Sequence, residues 1–221
     1  NFNNTTNHNG RIARNFNNIG NTHLLNSEYT LALSYLNKAL AIRKQIFDKN
    51  HSETAYIYND LGETYHAQKK YDSAIIYYQK ALTIRKYRFG DKHPDIADSY
   101  DNLGDLYFDK KDFTNALNYY QKSLTMRLAI FNSNHPKVAY SYNTIAKVYL
   151  TQKEHTKSLS FYNKAIQANK NLQKQDGTDH YYNLNILLSS LQGKSQVYSQ
   201  LYTQNQEQEY VTHAINTYLQ A

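Results

Sequence analysis

The chain of 221 residues contains no cysteine, which excludes a disulfide framework and any thiol nucleophile and leaves its redox compartment open. No stretch approaches the ~20 consecutive apolar residues of a membrane-spanning helix, and no secretory signal pattern is visible. The expectation is a cytoplasmic protein away from membranes. Proline occurs only as Pro94 and Pro136, and both fit the first turn of a helix, where a missing N–H costs nothing. Glycine is scarce as well, with seven residues. Lys and Arg outnumber Asp and Glu by 25 to 18, for a net charge of +7, which raises the question of a nucleic-acid partner.

The chain has a period instead. Tyr29, Tyr71, Phe113 and His155 recur every 42 residues, as do Ala32, Ala74, Ala116 and Ser158. A unit recurring at that interval is one supersecondary element that buries its apolar face only against copies of itself. In the clearest copy, His51 to Gly90, Tyr58, Leu61, Gly62 and Tyr65 follow the i, i+3, i+4, i+7 rule for one helix face, and Ala74, Tyr78 and Ala81 mark a second helix. The first set recurs as Phe16, Ile19, Gly20 and His23, as Tyr100, Leu103, Gly104 and Tyr107, and as Tyr142, Ile145, Ala146 and Tyr149. Small residues let two helix backbones approach, so Gly62 and Gly104 are expected at close crossings. The second helices should end near Phe47, Phe89 and Phe131, with Gly90 as a left-handed cap and Glu53 and Asp95 set against the dipole of the following helix.

This divides the chain into a flexible or truncated segment, residues 1–10, four 42-residue hairpins over 11–174, and a divergent fifth hairpin over 175–221. The register breaks at the turn formers Gln175-Asp-Gly-Thr-Asp179. The fifth hairpin should have helices from about His180 to Thr203 and from about Glu207 onward, cut short in the second, so the chain reads as a piece of a larger protein.

The spacing aromatic-x2-Leu-Gly-x2-Tyr followed by Ala-x3-aromatic resembles the tetratricopeptide repeat, here in a long form. With Tyr58-Asn-Asp-Leu-Gly62 and Asp91-Lys-His-Pro-Asp-Ile-Ala97, it is similar to the repeats of kinesin light chains and of many bacterial repeat proteins, over roughly residues 10–174. The resemblance implies an all-α, right-handed superhelical solenoid of antiparallel helix hairpins, with the first helix of each hairpin lining a concave groove. Leu187 to Tyr198 and Tyr210 to Tyr218 look like the stretch that joins repeats to a peptidase-like domain in bacterial CHAT-domain proteins. The catalytic His and Cys of that family would lie downstream, and none is carried over.

In this register the groove takes Tyr56, Asn59, Glu63 and His66 from one hairpin and Asp98, Asp101, Asp105, Phe108 and Asp109 from the next. The spacing of the four aspartates places them on one helix face, an acidic stripe in a basic protein. Asn17, Asn59, Asp101 and Asn143 form one rung per repeat, and an amide can both donate to and accept from the backbone of an extended peptide. Groove asparagines of kinesin light chains act so, and the resemblance implies it here. Tyr56 and Tyr140 offer flat apolar contact beside them. Lys38, Lys80, Lys122 and Lys164, and with them Arg43, Arg85 and Arg127, repeat on the second helices, where they are expected to solvate the outer surface. Basic residues dispersed in this way argue against a nucleic-acid interface.

Other chemistry is not encoded. Gly193-Lys194-Ser195 lacks the preceding glycine of a phosphate loop, Leu188 standing in its place. His51, His93 and His135 fall one per repeat, as helix-entry residues too far apart to share a metal. Neither a cofactor nor a metal is expected, and no acid–base or nucleophile set is assembled. The expected function is non-catalytic: a scaffold that takes a protein or peptide segment, basic or intramolecular, in the groove and controls a downstream effector. The alternative is the regulatory N-terminal region of a CHAT-type cysteine peptidase.

Overall fold

The computed structural model describes residues 2–46, 51–170, 180–205 and 208–219. Phe47, the turn cluster 175–179 and the expected helix start at Glu207 lie outside them. Among the described residues the chain is all helical, with α1 Phe2–Leu25, α2 Tyr29–Ile46, α3 Ser52–Ala67, α4 Tyr71–Phe89, α5 Pro94–Asp109, α6 Phe113–Ile130, α7 Pro136–Thr151, α8 His155–Lys170, α9 His180–Asn205 and α10 Gln208–Leu219. None of these is long and apolar enough to cross a membrane. Two compact units divide the chain, residues 1–111 and residues 112–221.

In the first unit α1 packs on α2 and α3 on α4, and α2 and α4 each pack on the first helix of the following hairpin. Leu36, Ala39 and Leu40 of α2 meet Ile57 and Leu61 of α3 in one buried cluster, while Ala55 joins Ala81 and Ile84 across the α3–α4 pair. The alignment of Leu61 and Gly62 on one face therefore builds the contact that the periodicity requires. A Cβ on Gly62 would lie 2.6 Å from the Tyr78 ring, and one on Gly20 would lie 2.8 Å from Leu36, so both glycines sit at close crossings. Gly104 is buried within α5. In the second unit α7 packs on α8, α9 on α10, and α6 and α8 on their successors. There Ala146, Leu150, Tyr162 and Val197 share a cluster, and Gly193 packs directly against the Tyr162 ring. The Gly193 segment is thus helix packing.

Helix ends follow the chemistry at the junctions. His51, His93 and His135 are N-caps whose Nδ1 accepts from the backbone N–H of Glu53, Asp95 and Lys137 at 3.3, 3.2 and 3.2 Å. The rings of His93 and His135 stack on Phe89 and Phe131 with centroids 3.9 and 3.8 Å apart. Pro94 and Pro136 occupy the first helical turns, and Gly90 caps α4 with φ of 73°. Within each hairpin the turn residue is Ser27, Lys69, Lys111 or Lys153, all with φ between 59° and 62°. Lys70 N–H then donates to Tyr65 O at 2.9 Å, closing the end of α3 in the Schellman manner.

Two expectations are corrected. Residues 2–10, expected as a flexible or truncated segment apart from the first hairpin, are the first turns of α1. Extending an existing helix adds one hydrogen bond per residue fixed, and no proline interrupts this polar stretch. The arginine series is not on the outer surface either: Arg43, Arg85 and Arg127 are 3%, 5% and 3% exposed. Each guanidinium reaches the next first helix. Arg85 Nη1 donates to Ser99 Oγ at 2.6 Å and Asp95 O at 3.2 Å, and Arg127 Nη1 to Ser141 Oγ at 2.8 Å and Lys137 O at 3.3 Å. Lysines remain outside as expected, Lys80 lying over the rings of Tyr58 and Tyr77 and Lys38 over Tyr35.

Candidate functional site

The first helices of the first unit, α1, α3 and α5, are tied by polar links between residues 43 apart. Asn17 Nδ2 donates to Asp60 Oδ2 at 2.7 Å, and Asn102 Nδ2 donates to Asn59 Oδ1 at 2.7 Å. Asn21 adds a second donor to Asp60 at 2.9 Å, and Asn59 Nδ2 donates to Glu63 Oε1 at 2.7 Å. Both the Nδ2 and the Oδ1 of the Asn59 amide therefore have internal partners. In the second unit Asn143 is 8% exposed, donating to Ile186 O at 3.2 Å and accepting from Ser190 Oγ at 2.8 Å. The asparagine series thus joins successive first helices, and Asn143 lies beneath the surface it was expected to line.

The acidic stripe is divided as well. Asp101 is 5% exposed, whereas Asp98 and Asp105 are half-buried and Asp109 is exposed. At ~100° per residue Asp98, Asp105 and Asp109 fall within ~20° of one line, while Asp101 is turned ~60° away. Three of the four therefore share a face. Tyr56, also exposed, donates its hydroxyl to Asp95 Oδ2 at 2.9 Å, and the Arg85 guanidinium lies 5.5 Å from its ring centre. Tyr140 of α7 is half-buried, with Arg127 at the same 5.5 Å.

Glu63, Asp105 and Asp109 lie towards the C-terminal ends of α3 and α5, with Lys69, Lys70, Lys110 and Lys111 in the turns that follow. A cleft of about 500 Å³ opens there, lined by Glu63, His66, Lys69, Tyr71, Tyr78 and Asp109. His66 Nε2 lies 2.9 Å from Asp109 Oδ2. Tyr78 forms part of the wall, and burial, then Glu63, Asp105, Asp60 and Asp109, hold its phenol far above the ordinary value. Four carboxylates therefore act on one ring. Burial first, then the neighbouring Asp60, raises the Glu63 carboxyl above its usual range, with Asn59 and Arg85 opposing. Asp60 is raised by burial against the donors Asn21 and Asn17 and the charge of Arg85. Carboxylates held at this cost favour a cation beside them.

A second, smaller cavity of about 190 Å³ lies between α1, α2 and α3, with Arg14, Asn17, Arg43, Glu53, Tyr56 and Ile57 in its wall. No group of three His, Cys, Asp or Glu side chains able to hold a metal occurs among the described residues. Asp60 was not legible as a site residue, because its partner Asn17 stands 43 residues away, one beyond the repeat interval. Asn17 with Asp60, Asn59 with Asn102 and His66 with Asp109 all show that offset.

A family model described as tetratricopeptide repeat matches residues 11–86 and 95–171. No curated protein matches the sequence. Among solved structures, BtubC (BKLC) from P. vanneervenii is 18% identical with a TM-score of 0.75, over 95% of this chain and 80% of that one. A Podosopora anserina protein described as a kinesin light chain with nearly identical TPR-like repeats is 18% identical with a TM-score of 0.71, over 95% of this chain and 96% of the other. Aspartyl phosphate phosphatase F from Bacillus subtilis gives 17% identity and a TM-score of 0.72, over 91% of this chain but 49% of its own. At these identities the likeness is one of fold.

Proposed function

Because the chain belongs to the tetratricopeptide repeat family, we propose that it is a non-catalytic recognition module that takes an extended, Lys- or Arg-bearing peptide segment on the first-helix face of residues 1–111. Stacked helical repeats present long, rigid surfaces suited to protein partners. One observation carries the choice of ligand: Glu63 and Asp109 line an open cleft together with His66 and Tyr71, in a protein of net charge +7. Contact affinity follows the charges lining a site, whereas the net charge acts on encounter over a Debye length of ~8 Å. The cationic side chain enters beside Glu63 and Asp109, with Tyr71 at the cleft wall against its methylenes. Asp98 and Tyr56 lie further along the same helices, towards Arg85, and contact the ligand's neutral part.

The variant Glu63→Gln/Asp105→Asn/Asp109→Asn tests this by removing charge without volume. It should weaken a Lys-containing peptide by ~1–3 kcal/mol in a fluorescence titration while leaving helicity unchanged. Equal affinity for the parent and the variant would contradict the site.

A second reading concerns what the module controls. Residues 187–218 carry the likeness to the CHAT junction, and they form the α9–α10 hairpin that packs on α8. This supports a regulatory region that transmits segment binding to a downstream cysteine peptidase. The reading frame beyond Ala221 decides it: a following domain with a His and then a Cys supports the link, and any other continuation contradicts it.

A further inference from the structure

Histidine is the side chain whose charge ordinarily changes between about pH 5 and about pH 8, and His66 lines the acid cleft at the ends of α3 and α5. Its Nε2 lies 2.9 Å from Asp109 Oδ2, which joins the two helices. The imidazole side chain is 16% exposed and that of Asp109 is 55% exposed, so a ligand reaches the carboxylate more readily than the ring. Two rings of α4 hold the imidazole in place. Tyr71 stands at a centroid distance of 5.9 Å, tilted by 59°, and Tyr78 at 6.4 Å, edge-on at 86°.

The charges lining this cleft nearly cancel. Ionised Glu63 and Asp109 contribute −2, Lys69 contributes +1 and a neutral His66 nothing, which leaves −1, and one proton on His66 brings the sum to zero. Asp105 of α5 and Asp60 of α3 also act on the Tyr78 ring, Asp60 being held by Asn17 and Asn21 of α1. Lys110 lies 5.9 Å from the centre of Tyr71 and pairs with Asp72, while Lys70 and Lys111 are exposed in the adjoining turns. From α2 the contact with α3 is made by Leu36, Ala39 and Leu40, which carry no charge.

We propose that the His66–Asp109 pair makes the binding of a cationic side chain in this cleft depend on pH: a neutral His66 leaves the charge of Asp109 to the ligand, and a protonated His66 takes the ligand's place as the cation beside it. This regulation rests on the cationic reading of the cleft. A neutral imidazole with its proton on Nε2 donates to Asp109 and changes no charge, whereas the imidazolium makes the same contact as a charge-assisted bond and cancels the carboxylate. The geometry is the same in both states, so the switch is electrostatic and needs no movement of α3 or α5. Ligand and proton compete, and by linkage binding releases a proton and affinity falls as the pH falls. Burial, then Asp60, hold the Glu63 carboxyl above its usual range, and its protonation at lower pH acts in the same direction. A variant at position 66 separates the two.

The test is a fluorescence titration of the full chain, between about pH 8 and about pH 5.5 at constant ionic strength, with an extended peptide blocked at both ends and bearing one central lysine. The parent should lose affinity by about fivefold or more over this range. His66→Gln, whose amide donates to Asp109 without titrating, should lose markedly less, and the remainder belongs to Glu63. Calorimetry of the same binding near pH 6.5, in two buffers of different ionisation enthalpy, reads the proton itself: the parent should release a fraction of a proton and His66→Gln should release less. This second measurement on the parent stands whether or not the variant folds. An affinity of the parent that does not change with pH, binding without proton release, or an equally steep fall in a folded His66→Gln variant would overturn the switch and leave the cleft as a cation site. A lysine peptide that binds at no pH in the range would overturn the cleft reading, and the switch with it.

Discussion

Gly62 shows how a single residue carries the fold. Its hydrogen stands where a Cβ would be 2.6 Å from the Tyr78 ring, and Tyr78 is 2% exposed with little room to retreat. Gly62→Leu should therefore destabilise by ~1–3 kcal/mol, read as a shift in the denaturant midpoint. The histidine caps act through protonation state. Burial, then Lys137 and Arg127, hold the His135 imidazole below its ordinary value, and its Nδ1 must stay unprotonated to accept from Lys137 N–H. The neutral form is the one the fold favours. Its stabilisation is complete above the unfolded imidazole value and is lost as the pH falls through that value towards the lower folded one. Thermal melts between about pH 7 and about pH 5 should show a steeper loss for the parent than for His135→Asn, which caps without titrating. A parallel decline would show that the cap does not contribute to the pH dependence.

At the scale of elements, the junction between hairpins is held by buried arginine as much as by apolar contact. Arg85 leaves α4, passes over Tyr56 of α3 and donates to both Ser99 Oγ and Asp95 O of α5. A lysine ammonium has the donors but ends about one bond short of Nη1, and it loses the planar contact of the guanidinium with the Tyr56 ring. Arg85→Lys should cost ~1.5–3 kcal/mol in chemical denaturation, and a change within a few tenths would place the junction's stability in its apolar cluster alone. Helix identity and pairing were legible in the sequence because Leu61, Gly62, Tyr78 and Ala81 obey a helical period that only one packing satisfies. The arginines were misplaced because charge alone suggested solvent, whereas a guanidinium is buried readily once a hydroxyl and a carbonyl receive it. Asn59 and Asn143 were legible as a series but not in their partners. An amide that could receive a ligand serves equally well between helices, and which of the two it does depends on the residue 43 positions on.

For the whole molecule, composition and local charge point in opposite directions. A net charge of +7 predicts attraction to anions at long range, yet the cleft at the ends of α3 and α5 is bordered by Asp109 and by Glu63, whose carboxyl burial and Asp60 hold above its usual range. The stripe of Asp98, Asp105 and Asp109 could be read from helical spacing, and the burial of Asp101 could not, because it depends on how a neighbouring helix crosses that face. The central claim, that this cleft takes a cationic side chain, is tested most directly by the affinity ratio of two extended peptides identical except for one central residue, lysine in one and glutamate in the other, titrated at physiological salt. The lysine peptide should bind tighter by a factor of about ten or more, a difference of ~1.4 kcal/mol, and equal affinities or a preference for the glutamate peptide would contradict the account.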